Sequence, residues 1–295
     1  MALNCEARAT GVLIWRYLLM PINRSVAILF FLAALIGFVW SWENAFTKSN
    51  ELVVYFGRPS AIPAYIASNW NYLIWASFGS VRTAVLSLVL AGLLATLLLV
   101  IGLVGDGLLG KIESLAVWSQ AVPFLVVVTV FFLAERILFK AVDWNPGTSI
   151  YSLVPVTISL VFPPLVYGAK GTMRLQVQIK SLLRLWQAPT FLRITRVYLP
   201  NALPDILTGL RVSATWAVGA TLISDGLLDG VAMNERTLGH LLVRPFSTAP
   251  SGQTPTVIVI ATLLAIGVYF LARRAQAFVE QKLNGDSVRI EEAYS

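Results

Sequence analysis

Long apolar segments dominate the chain and alternate with short polar connections. Six of these segments approach the roughly 20 apolar residues that a helix needs to cross the hydrocarbon core of a bilayer. They are Ser25–Trp42, Val81–Val104, Leu115–Phe139, Ile150–Gly168, Ile206–Leu228 and Thr254–Leu271. The pattern predicts an all-α polytopic membrane protein with about six transmembrane helices.

Composition supports this class and removes others. Hydrophobic residues make up 57% of the chain and charged residues 13%, whereas a soluble domain has about a quarter charged residues. The 22 basic and 15 acidic residues give a net charge of +7, but the basic residues lie at the ends of apolar segments. They therefore indicate a membrane surface, not nucleic acid. Cys5 and His240 are each the only residue of their type, which argues against an internal disulfide and a metal centre.

Basic residues also predict the orientation. Counted over alternate connections, they favour one side of the membrane by about two to one, and this side holds both termini and the connection 170–204. The predicted organisation is a cytoplasmic segment 1–24, a transmembrane domain 25–275 and a cytoplasmic tail 276–295.

The connection 170–204 is the longest basic stretch between apolar segments. Its spacing predicts an amphipathic helix over Gln176–Gln187 that Pro189 ends. One face carries Ile179, Leu182, Leu183 and Trp186, and another carries Lys180, Arg184 and Gln187. A second helical segment, Thr190–Tyr198, leads to Leu199-Pro200, where we expect the chain to bend. A helix lying on lipid headgroups and a helix that docks a partner both fit this pattern.

Polar groups inside the spans are candidates for a transport pathway, since each is costly unless it faces protein or water. Those of the third span are Trp118, Ser119 and Gln120, which precede the helix-kinking Pro123; those of the fifth span are Ser213, Trp216 and Thr221. The fifth-span residues belong to a stripe of small residues, for which helix packing is the alternative interpretation. At the end of that span, Asp225 and Asp229 are expected to be solvated at the outer interface.

A preceding stripe, Ile62, Ile66, Trp70 and Ile74, repeats every four residues. It is typical of a structural helix along the outer membrane face.

The run RVYLPNALPDILTGLRV resembles the end of the cytoplasmic coupling loop of ABC importer permeases, in particular the branch for nitrate, sulfonates, taurine, bicarbonate and some pyrimidine or riboflavin compounds. The matching residues are Leu199, Pro200, Ala202, Leu203, Pro204, Ile206, Gly209, Leu210 and Arg211. Shorter matches occur at Arg58–Ile62, Ser80–Thr83, Gln120–Pro123, Phe162–Pro164 and Thr237–Gly239.

The resemblance implies a type I importer fold in the bacterial cytoplasmic membrane. It implies as partners ABC ATPase subunits that bind ATP, a second permease subunit, an extracytoplasmic substrate-binding protein and the lipid bilayer. The chain has no phosphate-loop motif, so no catalytic residues and no cofactor of its own are expected. The implied coupling residues are Lys180, Leu182, Leu183, Arg184, Leu185, Trp186, Gln187, Ala188, Pro189, Arg193, Leu199 and Pro200.

The implied solute is small and polar or anionic, such as nitrate, a sulfonate or bicarbonate, with neutral pyrimidine or flavin-like solutes as the second class. Other functions remain open from the residues alone: a membrane-embedded enzyme, a secondary transporter, or a membrane scaffold subunit without ATPase coupling.

The coupling loop departs from the family pattern. Ser181, Leu182 and Leu183 occupy the positions of a Glu-Ala-Ala motif, and Gln187 occupies the position of a glycine. A glycine there would allow a turn or close approach, so we expect Gln187 to make a different connection. Asp225 stands where a Glu is usual.

Overall fold

The structure is a computed structural model that describes residues 24–48, 57–105, 108–119, 121–122, 124–142, 148–175, 177–228, 237–243 and 252–294. The helices are α1 Arg24–Lys48, α2 Ile62–Val104, α3 Leu108–Ser119, α4 Phe124–Val142, α5 Thr148–Met173, α6 Val177–Leu185, α7 Thr190–Arg193, α8 Leu199–Leu228, α9 Leu238–Val243 and α10 Gln253–Tyr294. A 3-10 turn, Pro59–Ala61, precedes α2, and a π-helical segment, Ile194–Tyr198, joins α7 to α8. The described part of the chain is all-helical.

Four described helical stretches are long and apolar enough to cross a membrane: Pro59–Val104, Ser152–Met173, Thr190–Leu227 and Gln253–Lys282. A fifth candidate consists of two apolar helices, Leu108–Ser119 and Phe124–Phe131, which meet at an angle of 96°. Together they would form one broken span. The apolar part of α1, Leu29–Asn44, is shorter than a full span.

The third predicted span, Leu115–Phe139, is therefore wrong as a single helix. The chain turns after Ser119, where the N–H groups of Ala121 and Val122 donate to the carbonyls of Trp118 and Ser119 at 3.0 and 3.1 Å. A proline at position 123 favours such a break, because it has no N–H and clashes with the preceding helical turn. Gln120 and Pro123 themselves lie outside the described residues.

The stripe from Ile62 to Ile74 is not a separate helix. It forms the first turns of α2, which continues into the second predicted span. Asn69, with φ −125° and ψ 21°, is the one residue inside α2 with non-helical backbone angles. Trp70 and Ile74 are exposed, as expected for a surface helix face.

The core of the bundle is the contact between α5 and α8, which α2 and α10 cover. Buried residues at the centre include Leu99, Leu160, Val218 and Val257. Gly209 of α8 lies directly against the backbone of Pro163 and Pro164 in α5. A glycine permits this approach, because a Cβ on it would lie only 2.4 Å from the Pro164 Cα.

Proline in α5 also explains a polar bond in this core. Pro164 has no N–H to bond the carbonyl of Leu160, four residues earlier. Ser213 of α8 supplies the missing donor, since its hydroxyl donates to the Leu160 carbonyl oxygen at 2.9 Å. The freed carbonyl is thereby satisfied by the neighbouring helix.

Asp225 is not solvated, so that expectation is wrong. The residue is 8% exposed, and its Oδ2 accepts a hydrogen bond from the Ser80 hydroxyl at 3.4 Å. The Ser80 oxygen in turn accepts from the backbone N–H of Leu238 at 3.1 Å. α9 folds over this end of α8, and Gly239 contacts the backbone of α8 there. Asp229 lies outside the described residues.

The last helix continues well past its apolar part. α10 runs without a break to Tyr294, so the expected tail 276–295 begins as a continuation of the span. Gln276 is buried there, and its Nε2 donates to the Thr208 hydroxyl at 3.1 Å and to Glu280 at 2.8 Å. This end of α10 is thus fastened to α8. Of the expected N-terminal segment 1–24, only Arg24 is described.

Candidate functional sites

The loop between α5 and α8 has the predicted form. An amphipathic helix, α6, ends at Leu185, and a second helical segment covers Thr190–Tyr198. Five large apolar side chains of this loop are about half exposed or more: Leu182, Leu185, Trp186, Phe191 and Leu192. Leu185 is 77% and Trp186 78% exposed. We call these five residues the apolar patch of the loop. Large exposed apolar patches mark surfaces that a lipid or protein partner covers.

Gln187 makes the turn after α6 in a conformation that favours glycine. Its φ is 45°, and it is the one non-glycine residue with positive φ in the described part of the chain. The expectation of a different connection is therefore wrong, because Gln187 adopts the left-handed conformation that a glycine would take there. A side chain in this conformation costs about 1–2 kcal/mol, so the turn is retained against the local preference of glutamine.

One ion pair and one close approach lie at the base of the loop. Arg174, just after α5, forms an ion pair with Asp205 of α8 at 3.5 Å. Gly171 lies under the Asp205 side chain, where a Cβ would be 2.5 Å from Oδ2. Because Arg174 is largely exposed, the ion pair itself contributes little stability. It joins the chain just after α5 to α8 at the base of the loop.

The chain stays helical through Leu199-Pro200, the point at which a bend was expected. The Leu199 N–H donates to the carbonyl of Ile194, five residues earlier, so a π-helical turn carries the chain into α8. Pro200 lies in the first turn of α8, where a missing N–H is tolerated. The guanidinium of Arg193 donates to the Thr190 hydroxyl at 3.0 Å. The short link between α6 and α7 consists of Trp186, Gln187, Ala188 and Pro189. The side chains of Lys180 and Arg184 lie outside the described part.

A second feature is a pocket of about 460 Å³ beside the break between α3 and α4. We call it the break pocket. Its lining comes from that break, from α5 and from α8: Ser119, Val122, Phe124, Val127, Ser159, Phe162, Pro163, Val212 and Trp216. The rings of Phe124 and Trp216 meet edge to face, with centroids 6.1 Å apart. Volumes of this order hold small organic molecules.

The predicted pathway residues are not all brought together. Trp216 lines the break pocket, whereas Trp118 is 77% exposed on the surface of α3. Ser213 and Thr221 are fully buried and donate to the carbonyls of Leu160 and Ala217. Both hydroxyls are therefore engaged in helix packing.

Sequence reasoning named Ser119 together with Trp118 and Gln120, but it did not select Ser159 or Phe162 as pathway residues. The available signal for these two was the Phe-Pro-Pro run at Phe162–Pro164. In the described residues, no three His, Cys, Asp or Glu side chains come together as metal ligands.

A bundle of long apolar helices with an amphipathic loop at one end and a pocket beside a broken helix is typical of a helical membrane transport protein. Residues 112–285 match the family model "Binding-protein-dependent transport system inner membrane component", and the chain belongs to this family. It is therefore an inner-membrane transport component and not an enzyme in its own right.

Among curated proteins, the chain is similar to the formylaminopyrimidine transport permease protein ThiX of Halalkalibacterium halodurans, with 31% identity over 120 residues. The match covers 39% of this chain and 42% of that protein, so it spans less than half of either.

Two solved chains of the MetNI methionine ABC transporter, in inward-facing conformations, are similar in fold. One has a TM-score of 0.54 and 16% identity, covering 70% of this chain and 95% of the other. The second has a TM-score of 0.55 and 17% identity, covering 72% and 98%. At such identity the likeness shows the fold alone, which is the predicted type I importer permease fold.

Proposed function

We propose that this chain is a permease subunit of an ATP-driven importer, which pairs with a second permease subunit and receives its solute from an external binding protein. Membership of the binding-protein-dependent family supports this proposal. The energy comes from a separate ATPase, since the chain has no phosphate-loop motif. Both termini and the loop 170–204 face the cytoplasm in this proposal, as the distribution of basic residues indicates.

The observation that carries the proposal is the apolar patch of the loop. A helix that rests on lipid would direct its apolar face toward the bilayer. Here the exposed side chains of Leu185, Trp186 and Phe191 lie around the turn at the end of α6. Gln187, in its left-handed conformation, makes this turn. Such a knob of large side chains fits a groove on a protein partner. The loop continues directly into α8 through the π-helical turn, so that movement of the loop is transmitted to the core of the bundle.

For the solute we propose a small polar molecule moved inward. The resemblance places nitrate-like and sulfonate-like anions first. The name of the curated relative refers instead to a formylaminopyrimidine, which favours the neutral pyrimidine class. Pathway candidates are Trp216 and the other residues of the break pocket.

The variant Leu185→Glu tests the coupling role. A carboxylate buried at a protein contact without a partner is strongly unfavourable, so a loss of several kcal/mol is expected. We expect ATPase association and ATP-driven uptake to be lost while the variant still inserts and elutes as a folded chain. ATPase pull-down from membranes and uptake into vesicles measure these effects.

Phe278→Glu is the matched control. Phe278 is also an apolar side chain, 70% exposed, but it lies on the extension of α10 and not on the loop. The control should retain the ATPase. Full retention by Leu185→Glu, or equal loss by both variants, would contradict a docking role for the patch.

A further inference from the structure

Among the described residues, the lining of the break pocket includes no charged side chain. Its nine lining residues are serine, valine, phenylalanine, proline and tryptophan. An anion that leaves water needs a cation or several hydrogen-bond donors to replace its hydration. The described part of the lining provides no side-chain cation, so the charge of nitrate, a sulfonate or bicarbonate would not be neutralised by a side chain there.

The two serines of the pocket use their hydrogens elsewhere. The Ser119 hydroxyl donates to the Ala116 carbonyl at 2.8 Å, and the Ser159 hydroxyl donates to the Val156 carbonyl at 2.7 Å. Their oxygens keep lone pairs and can only accept further bonds. The serines therefore favour a solute that carries N–H or O–H donors.

Proline adds another acceptor at the same wall. Pro163 has no N–H, so the Ser159 carbonyl lacks the donor that a regular helix would place four residues later. Ser159 and Pro163 both line the pocket. This carbonyl thus belongs to a residue of the wall, whose side-chain acceptors are the two serine oxygens and whose side-chain donor is the Trp216 indole N–H.

The rest of the wall is aromatic. Phe124 and Trp216 meet edge to face at an interplanar angle of 76°, and Phe162 lines the same pocket. Aromatic side chains bind flat rings by stacking and edge contacts. A planar solute therefore uses more of this surface than a tetrahedral one.

We propose that the break pocket binds an uncharged, planar heteroaromatic solute with N–H donors on its ring or its substituents. The proposal deepens the proposed function and rests on it, since it places this pocket on the path of the imported solute. It selects the neutral class over the anionic one.

Uracil and orotate test the proposal, because orotate is the same ring with an added carboxylate. Saturation-transfer NMR on the full chain in nanodiscs compares their binding at millimolar concentration. We expect uracil to bind and orotate to bind at least tenfold more weakly. Trp216→Ala should weaken uracil binding roughly tenfold, the scale of one base–aromatic stacking contact. The control Trp118→Ala removes a tryptophan that does not line the pocket and should leave binding unchanged.

A second variant tests the charge argument by gain of binding. Val212 lines the pocket and is partly exposed, so a lysine there can place its ammonium at the opening. Val212→Lys should reverse the preference and make orotate the tighter ligand.

Absence of uracil binding to the wild type overturns the proposal. Orotate binding as tight as that of uracil, or equal effects of the two tryptophan variants, does the same. The ATPase pull-down does not involve this pocket. A chain that recruits the ATPase but prefers orotate therefore refutes the pocket assignment and leaves the proposed function standing.

Discussion

Replacement of Gly209 by alanine probes the close contact between α5 and α8. Gly209 of α8 faces the backbone of Pro163 and Pro164 in α5, and a Cβ on it would lie 2.4 Å from the Pro164 Cα and 2.6 Å from the Pro164 nitrogen. Carbon atoms pack best at about 3.5–4.0 Å, so the added methyl group requires the two helices to separate by roughly 1 Å. Neither helix can relieve this by a side-chain rotation, because the atoms that it meets are backbone.

The matched control is Gly219→Ala on the same helix. Gly219 is exposed, and a Cβ there meets nothing within 4 Å. Both variants gain about the same helix propensity, near 1 kcal/mol, so this gain cancels when they are compared. What remains is the overpacking at Gly209, which costs about 1–3 kcal/mol or more.

Thermal unfolding in detergent measures the difference. At about 2–4 °C per kcal/mol for a chain of this size, we expect Gly209→Ala to melt roughly 3–10 °C below Gly219→Ala. Melting of Gly209→Ala at or above the temperature of Gly219→Ala would refute the close approach of α5 and α8.

Two further predictions concern the loop between α5 and α8. Gln187→Gly should stabilise the chain by up to about 1 kcal/mol, because glycine adopts the left-handed conformation without a Cβ penalty; thermal unfolding measures this, and a lower melting temperature than wild type would contradict the assignment of the turn. A single cysteine at Lys180, in a chain without Cys5, should not react with a membrane-impermeant thiol reagent in intact cells and should react after lysis. Labelling in intact cells would mean that the loop faces outward.

Sequence pattern predicted the helical class and the loop well, because both depend on local periodicity. The apolar segments and the amphipathic spacing before Pro189 correspond to helices in the structure. The break after Ser119 was predicted only as a kink, since a proline indicates that a helix is disturbed but not by how much. Its angle of 96° depends on packing that lies far away in the sequence.

The wrong predictions concern residues whose burial or backbone conformation depends on contacts between distant parts of the chain. Asp225 looks like a solvated residue at the end of a span, but α9 folds over it and Ser80 provides a partner from a distant helix. Gln187 lacks the freedom of glycine, yet the loop holds it at positive φ. The residues of the break pocket come from three separate parts of the chain, represented by Ser119, Ser159 and Trp216, so no local spacing could have joined them.

The central claim is that this chain is a transport subunit whose energy comes from a separate ATPase. The most direct measurement is ATP hydrolysis by the purified chain and by the complex that co-purifies with it from its native membrane. We predict no hydrolysis by the isolated chain, and hydrolysis by a complex that contains a second polypeptide with a phosphate-loop motif. Hydrolysis by the isolated chain, or purification with no ATPase in the complex, would contradict the claim.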